Sequence, residues 1–260
     1  MKILITGSGS GIGRFLAEAL SGAGNEVWGI ALGEQTTPFR FNTCDVSDWL
    51  AVERVEREVG REWGSLDALI CCAGAQGAMG KAMDLDPREW SQTVRVNLDG
   101  TFYPIRAFFG LLAKAKRRAK VLCFSGGGST SPRPNFSAYG VAKTGVVRLV
   151  ETLAEEWKGD AIDINGISPG AIYTRMTEEV LALGPGVAGE KEYAQAQKTK
   201  AQGAAPLEKA GELVKFLLSP ESDGISGKLI SAPWDPWAEF GKMREELMRS
   251  EIYTLRRVAR

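Results

Sequence analysis

The sequence predicts a single α/β domain in which helices cover both faces of a doubly wound parallel sheet. Short, continuously apolar runs alternate with longer segments of helical spacing, the pattern of strands buried on both faces. A glycine-rich turn joins the first apolar run to the first helical segment. The 260 residues suffice for one such domain, and no linker, repeat or low-complexity stretch divides them.

The predicted elements follow one another in a regular order. Strands are expected at residues 3–5, 26–32, 68–72, 121–124, 162–167 and 228–231, where apolar residues run together. Helices are expected at 12–23, 49–63, 89–115 (with breaks), 138–157 and 207–218, where apolar residues recur at helical spacing. Between residues 33 and 42 the chain is too short for a full connecting helix, so that helix is predicted to be missing or vestigial.

Two segments differ from this alternating pattern. Residues 174–206 are rich in Gly and Ala and poorly patterned, which in a compact domain indicates a functional lid or a small helical excursion. We therefore assign the domain to residues 1–233, including this lid. The tail, residues 234–260, has apolar residues at helical spacing, which fits both packing on its own subunit and an oligomer contact.

The composition excludes several classes of function. Thirty-two basic residues balance 32 acidic ones, so no net charge favours nucleic acid or an anionic membrane. The chain has no His and its four cysteines form no CxxC pair, so we predict no metal site. No apolar run approaches membrane-spanning length, and the first glycine comes too early for a signal peptide. The prediction is a cytoplasmic protein without nucleic-acid or membrane partners.

The glycine-rich turn reads Thr6-Gly7-Ser8-Gly9-Ser10-Gly11-Ile12-Gly13. Glycines let the backbone turn sharply and approach a pyrophosphate, and the following helix offers free N–H groups and a positive dipole to the anion. The spacing is TGxxxGxG rather than GxGxxG. A strand before it and an amphipathic helix after it favour a nucleotide site over a turn without a ligand.

This turn resembles the cofactor loop of the classical short-chain dehydrogenases/reductases, and further segments resemble that family in the same order along the chain. They are Asp45-Val46, Cys72-Ala73-Gly74, Asn97, the pair Tyr139 and Lys143 in a YxxxK pattern, and the run from Pro169 to Thr174. The resemblance implies a Rossmann-type fold, NAD or NADP as cofactor, and a small-molecule alcohol or ketone as substrate. It also implies a homodimer or homotetramer that pairs through the helices at 89–115 and 138–157.

The resemblance also implies which residues bind the cofactor. They are Gly7, Ser10, Gly11, Ile12, Gly13, Asp45, Val46, Cys72, Ala73, Gly74, Tyr139, Lys143, Pro169, Gly170, Ile172 and Thr174. Cys71 and Cys72 stand where the family has two Asn residues. The strand that should read the adenosine ribose ends in Ala31-Leu32-Gly33-Glu34, without a clear Asp or Arg, so the preference between NAD and NADP stays open.

Tyr139 and Lys143 lie four residues apart, on the same face of the predicted helix. A neighbouring ammonium favours the phenolate and so lowers the pKa of a tyrosine, which lets the pair move a proton to or from an alcohol oxygen. The pair therefore predicts interconversion of a secondary alcohol and a ketone, with Tyr139 as acid–base. The resemblance further implies that Lys143 binds the nicotinamide ribose and that Asn97 belongs to the catalytic set.

The sequence departs from the family at the catalytic serine. That serine usually lies thirteen residues before the tyrosine, and here the position is Gly126. A one-residue insertion in the following loop brings Ser125 into consideration, with Ser129 second and the glycine N–H groups third. The departure also keeps open a dinucleotide-binding protein with weak or no turnover, acting as a sensor or structural subunit. A nucleotide-sugar-modifying member of the extended branch is a further alternative.

Overall fold

A computed structural model describes residues 1–202 and 205–258 of the chain. Positions 203 and 204 of the predicted lid, and 259 and 260 of the tail, lie outside the described residues. The strands are β1 (Lys2–Thr6), β2 (Glu26–Ala31), β3 (Arg40–Thr43), β4 (Ala68–Cys71), β5 (Ala119–Phe124), β6 (Ile162–Ser168) and β7 (Leu229–Ser231). The helices are α1 (Gly11–Gly22), α2 (Trp49–Trp63), α3 (Pro87–Val94), α4 (Gly100–Leu112), α5 (Ser137–Glu156), α6 (Arg175–Ala188), α7 (Glu190–Ala201), α8 (Ala205–Leu218) and α9 (Arg244–Arg249).

The strands form one parallel, seven-stranded sheet in the order β3-β2-β1-β4-β5-β6-β7. This confirms the predicted fold class. The strand order reverses between β1 and β4, and in such sheets ligands bind in the crevice outside the carboxyl ends of the strands at that point.

Two apolar cores hold the layers together. Side chains alternate along a strand, so Leu4 enters the core that includes residues of α2, α4 and α5. Ile3 and Ile5 enter the opposite core, which includes residues of α1 and α8. Burial on both faces explains why the central strands read as continuous apolar runs.

Strand β3 is not among the strands predicted from apolar runs, because its sequence Arg-Phe-Asn-Thr is polar. It is an edge strand, and it pairs only with β2 within the described sheet. The indole Nε1 of Trp28 donates to Asn42 Oδ1 at 2.7 Å, which ties the two strands together. No helix occurs between β2 and β3 in the described chain, as the short spacing predicted.

The predicted helix at 89–115 is two helices joined by a wide π-helical turn at Arg95–Asp99. Asn97 lies in this turn and is fully buried. Its amide Nδ2 donates to the carbonyl oxygens of Thr93 (2.9 Å) and Ala75 (2.8 Å). The turn therefore fixes the Asn97 side chain at the carboxyl edge of the sheet.

The lid segment contains two helices, α6 and α7. Gly184, with a φ of 72°, kinks α6 just before Pro185. The weak apolar periodicity of this segment reflects how little of it is buried: Val180 and Ala188 are the buried residues of α6, and Ala196 and Thr199 those of α7.

The tail is not the long helix that its spacing suggested, because the α-helix there covers only Arg244–Arg249. Phe240 and Leu247 are fully buried in the same core as Ile3. The N–H of Leu229 donates to the Tyr253 carbonyl oxygen at 2.8 Å, so the tail backbone covers the outer edge of β7. Packing on its own subunit is therefore present in the structure.

Candidate active site

The glycine-rich turn is folded tightly between α1 and the end of β4. Gly7 has a φ of 71°, and a Cβ atom there would lie 2.8 Å from the Ala73 backbone. A Cβ atom at Gly13 would lie 2.3 Å from the Gly7 carbonyl oxygen. Both positions require glycine, because a side chain would push the turn away from its backbone neighbours.

The amino end of α1 is open. Ser10 precedes the helix in an extended conformation, and its side chain makes no capping hydrogen bond. Ser10 and Gly11 are exposed, and Ile12 is half-buried. The first N–H groups of α1 are therefore accessible to an anion such as a pyrophosphate.

Asp45 and Val46 follow β3 at the same carboxyl edge. Asp45 is exposed, and its Oδ1 accepts hydrogen bonds from the Ser47 N–H (2.8 Å) and hydroxyl (2.7 Å). Val46 is buried, and a Cβ atom at Gly100 would lie 2.7 Å from its Cγ2 atom. These contacts anchor the segment against α4.

Gly74, Asn97 and Lys143 meet behind the end of β4. A Cβ atom at Gly74 would lie 2.7 Å from Asn97 Oδ1 and 3.4 Å from Lys143 Nζ. The buried Asn97 Oδ1 atom accepts no hydrogen bond from the described residues. A buried acceptor without a donor needs a physical explanation, and a donor from water or a ligand is one.

Tyr139 lies on α5 with 7% of its surface exposed, and its hydroxyl is directed at Gly126. A Cβ atom at Gly126 would lie 2.4 Å from the Tyr139 hydroxyl oxygen. Glycine at this position therefore leaves the space that the hydroxyl occupies.

The two candidate serines have different surroundings. Ser125 lines the same cavity as Tyr139, but its hydroxyl donates to the Lys143 carbonyl oxygen at 3.4 Å. Ser129 lines a separate depression together with Val141 and Thr144. The main chain of residues 126–128 borders the cavity itself.

Burial controls the ionisation of Tyr139 and Lys143. It raises the pKa of Tyr139, and the guanidinium of Arg133 acts in the opposite direction. It lowers the pKa of Lys143 to about 8. Lys143 Nζ lies 5.7 Å from the centre of the Tyr139 ring and donates to the Phe124 carbonyl oxygen at 3.0 Å. Arg133 thus lowers the pKa of the tyrosine, and the effect of Lys143 on it stays a prediction.

Burial favours the protonated form of the cysteines near the site. Cys71 is buried in the strand, whereas Cys72 is half-buried and lines the cavity next to Lys143. Burial raises the pKa of the Cys72 thiol, and contact with Cys123 together with burial raises that of Cys71. Uncharged thiols leave Lys143 without an anionic partner among these neighbours.

One cavity of about 450 Å³ is lined by Ile12, Cys72, Gly74, Tyr139, Lys143 and the loop after β5. Within the described residues, its lining does not include Gly7, Ser10, Gly11, Gly13, Asp45, Val46, Ala73 or Asn97. The cavity wall also includes Pro169, Gly170, Ile172 and Thr174 from the segment after β6. Thr174 approaches the glycine turn as well, because a Cβ atom at Gly11 would lie 3.4 Å from Thr174 Cγ2. Helices α6 and α7 close the other side. The wall residues contributed by the helices are Met176, Thr177, Val180, Lys191, Glu192, Gln195, Ala196 and Thr199.

A family model described as enoyl-(acyl carrier protein) reductase matches residues 7–232, a range that contains the glycine turn, Tyr139, Lys143 and the segment after β6. The chain belongs to the short-chain dehydrogenase/reductase family. It is an oxidoreductase of this family, whose members use NAD or NADP.

Three relatives show how far the similarity extends. The short chain dehydrogenase tazN of Aspergillus terreus is 29% identical over 90% of this chain, which spans 52% of that protein's length. Levodione reductase of Leifsonia aquatica is 29% identical, covering 88% of this chain and 91% of that protein. A solved structure named ribose-5-phosphate isomerase from Brucella melitensis is 28% identical over 98% of this chain and 96% of that chain, with a TM-score of 0.75.

The residues present fit a dinucleotide. The open amino end of α1 suits a pyrophosphate, and Gly7 and Gly13 leave the space of a close backbone approach. The unpaired Asn97 Oδ1 atom lies at the other end of the site, beside Lys143. In the described part of the chain, no group of three or more Cys, Asp or Glu side chains is placed to hold a metal ion, and no helix is long and apolar enough to cross a membrane.

Sequence reasoning missed two charged residues at this site, Arg133 and Glu192. Nε and Nη2 of Arg133 both donate to Glu192 Oε2, at 3.0 and 2.8 Å, and both side chains line the cavity. The residues are 59 positions apart, so no local pattern in the sequence pairs them.

Proposed function

We propose that the protein interconverts a secondary alcohol and a ketone with NAD or NADP, and that Tyr139 is the acid–base. The observation that carries the proposal is the single cavity that brings Tyr139 and Lys143 together with the segment 169–174, at the strand ends beside the glycine turn. A titratable hydroxyl, a buried amine and a dinucleotide-compatible turn then serve one reaction.

The glycine turn and α1 would hold the pyrophosphate through Gly7, Ser10, Gly11, Ile12 and Gly13. Asp45 and Val46 would contact the adenine, while Cys72, Ala73 and Gly74 would border the middle of the cofactor. Pro169, Gly170, Ile172 and Thr174 would hold the nicotinamide end, together with Lys143. When bound, the dinucleotide supplies or accepts the hydride.

Tyr139 exchanges the proton that the reaction requires. Reduction of a ketone leaves an alkoxide that must receive a proton, and oxidation of an alcohol must release one. Tyr139 lines the cavity with its hydroxyl beside Gly126, which supports it as the group that exchanges this proton. Asn97 is proposed to hold a water through its unpaired Oδ1 atom, beside Lys143, so that the proton can pass to and from solvent.

A donor to the substrate oxygen completes the mechanism. Ser125 was the first expectation, but its hydroxyl is directed at the Lys143 carbonyl oxygen. Residues 126–128 border the cavity with their main chain, which supports their N–H groups as the proposed donors. Ser125→Ala is therefore expected to retain turnover within about 10-fold, whereas a larger loss would return the role to Ser125.

The decisive test replaces Tyr139 by Phe. The variant keeps the ring and loses the proton, so turnover should fall by roughly 100-fold or more while the affinity for dinucleotide is unchanged. A screen of alcohols, sugars and hydroxysteroids with NAD and NADP supplies the substrate, and a neutral or weakly polar ketone is expected. Full activity of Tyr139→Phe on that substrate would contradict the mechanism.

The similarity to the structure named ribose-5-phosphate isomerase supports a second candidate, isomerisation of a sugar phosphate. That reaction has no net oxidation, so it requires no net turnover of dinucleotide. Conversion of ribose 5-phosphate without added NAD or NADP would favour it. If the protein binds dinucleotide but turns over no substrate, a sensor or structural role follows instead.

The assembly is proposed to be a homodimer or homotetramer formed through α4 and α5. The side chains of Phe102 on α4 and Val141 on α5 are 39% and 53% exposed, which provides apolar surface on both helices. A monomer mass in light scattering at micromolar concentration would contradict this assembly.

A further inference from the structure

The glycine-rich loop after β5 leaves space for one particular side chain, that of Arg133. A Cβ atom at Gly128 would lie 3.1 Å from Arg133 Cβ, which is a tight contact, whereas one at Gly127 would make an ordinary contact with Arg133 Cδ at 3.7 Å. Gly128 also has a φ of 92°, which favours glycine. Within the Ser-Gly-Gly-Gly sequence, Gly128 thus lets the arginine lie along the loop.

The guanidinium of Arg133 lies near the rings of Phe136 and Tyr139. It lies 3.8 Å from the centre of the Phe136 ring and 5.6 Å from that of Tyr139. Its paired oxygen belongs to Glu192, on lid helix α7. The two side chains are 14% and 24% exposed, so bulk water screens them only in part.

The charged and titratable groups around Tyr139 come from each neighbouring element. They are Lys143 on α5, Cys72 at the end of β4, Arg133 on the loop, and Lys191 and Glu192 on α7. Two cations lie at nearly the same distance from the centre of the Tyr139 ring, Arg133 at 5.6 Å and Lys143 at 5.7 Å. Lys143 donates to the Phe124 carbonyl oxygen, whereas Arg133 is held by a carboxylate of the lid, so Arg133 is a second cation beside the family's lysine.

We propose that Arg133 is a positioning residue for Tyr139: its guanidinium, held by Glu192, stabilises the phenolate form of Tyr139. A cation close to a phenol favours the ionised state, and burial opposes it. The arginine therefore compensates part of the cost that burial imposes on the acid–base group. The ion pair also links α7 to this effect, because it sets where the guanidinium lies.

The test is a spectrophotometric titration of the phenolate in the cofactor-free protein. The chain has five tyrosines, so the difference between wild type and Tyr139→Phe isolates Tyr139. Arg133→Gln should raise the apparent pKa of Tyr139 by about one unit, and Arg133→Lys should restore part of the shift. Glu192→Gln keeps an oxygen acceptor but removes the opposing charge, so it should lower the pKa.

Arg40→Gln is the matched control. Arg40 also forms an ion pair, with Glu62 at 2.7 Å, and lies 5.4 Å from the centre of the Trp28 ring, but it is at the far edge of the sheet. This control should leave the Tyr139 titration unchanged. Shifts of opposite sign for Arg133→Gln and Glu192→Gln cannot come from a general loosening of the fold. If Arg133→Gln does not fold, Arg133→Lys and Glu192→Gln still decide the question.

The effect of Arg133 on the Tyr139 titration can be measured without a substrate. Only its consequence for catalysis rests on the proposed function. A Tyr139 titration that is unchanged in both Arg133 and Glu192 variants would overturn the role of Arg133, even if turnover is found. Shifted titrations without turnover of any substrate would instead overturn the proposed function. With a substrate in hand, the tyrosine limb of the pH profile of kcat/KM should move in the same direction as the titration.

Discussion

Two buried lysines with opposite surroundings provide a sharp test of the energetics of the site. Lys143 is 4% exposed, and the hydrogen-bond acceptor of its Nζ atom is the Phe124 carbonyl oxygen. Burial lowers its pKa from 10.5 to about 8. A difference of this size means that keeping the buried amine charged at neutral pH lowers the stability of the folded protein by about 3 kcal/mol.

Lys143→Met should therefore raise the free energy of unfolding of the cofactor-free protein at pH 7. Methionine has nearly the same volume and carries no charge. After roughly 1 kcal/mol is subtracted for the lost hydrogen bond, the expected gain is about 2 kcal/mol, measured by urea denaturation. The same variant should lose turnover, since the amine is proposed to act in the site.

The pH dependence has a definite sign. Below pH 8 the lysine is protonated in both the folded and the unfolded chain, so its contribution to the free energy of unfolding does not change with pH. Between pH 8 and 10.5 the unfolded chain binds more protons, and wild type should gain stability relative to Lys143→Met. By pH 9.5 the free energy of unfolding of wild type, relative to Lys143→Met, should be about 2 kcal/mol higher than at pH 7.

Lys120→Met is the matched control for this prediction. Lys120 Nζ lies 2.9 Å from Asp163 Oδ2 and 2.8 Å from Asp223 Oδ1. Removing Lys120 takes one cation from the buried Asp163, which keeps Arg118 at 3.1 Å, so this variant should lose about 1–3 kcal/mol. If Lys143→Met is destabilised as much as Lys120→Met, or if its difference from wild type does not vary between pH 7 and 10, the reasoning about the buried charge is wrong.

The remaining predictions concern the cofactor turn and the tail. Gly13→Val should abolish binding of NADH and NADPH in a fluorescence titration, because a Cβ atom at this position would lie 2.3 Å from the Gly7 carbonyl oxygen. Gly22→Val is the control on the same helix and should bind both dinucleotides normally, because a Cβ atom there would have no neighbour within 4 Å among the described residues, apart from the adjoining turn of its own helix. Phe240→Ala should cost about 3–5 kcal/mol of unfolding free energy, because Phe240 is fully buried in the core that also contains Ile3 and Ile5. A loss below about 1 kcal/mol would mean that the tail is not part of the fold.

The sequence was sufficient to predict the layered parallel sheet, because its central strands are buried on both faces and so must be continuously apolar. It was also sufficient to locate the glycine turn and the Tyr139–Lys143 pair, since these depend on residues close together in the chain. The polar strand β3 could not be found in this way. Its stability comes from pairing with β2 and from the Trp28–Asn42 hydrogen bond, and neither is visible in local periodicity.

Only the tertiary structure decided which side chains face Tyr139. Counting residues made Ser125 a candidate, but the direction of its hydroxyl depends on how the loop after β5 packs against α5. Arg133 and Glu192 are distant in sequence and meet only because α7 folds over that loop. The tail likewise has a helical pattern, yet contacts with the core and with β7 override it. Sequence spacing constrains neighbours within an element, whereas the approach of different elements is determined by packing of the whole chain.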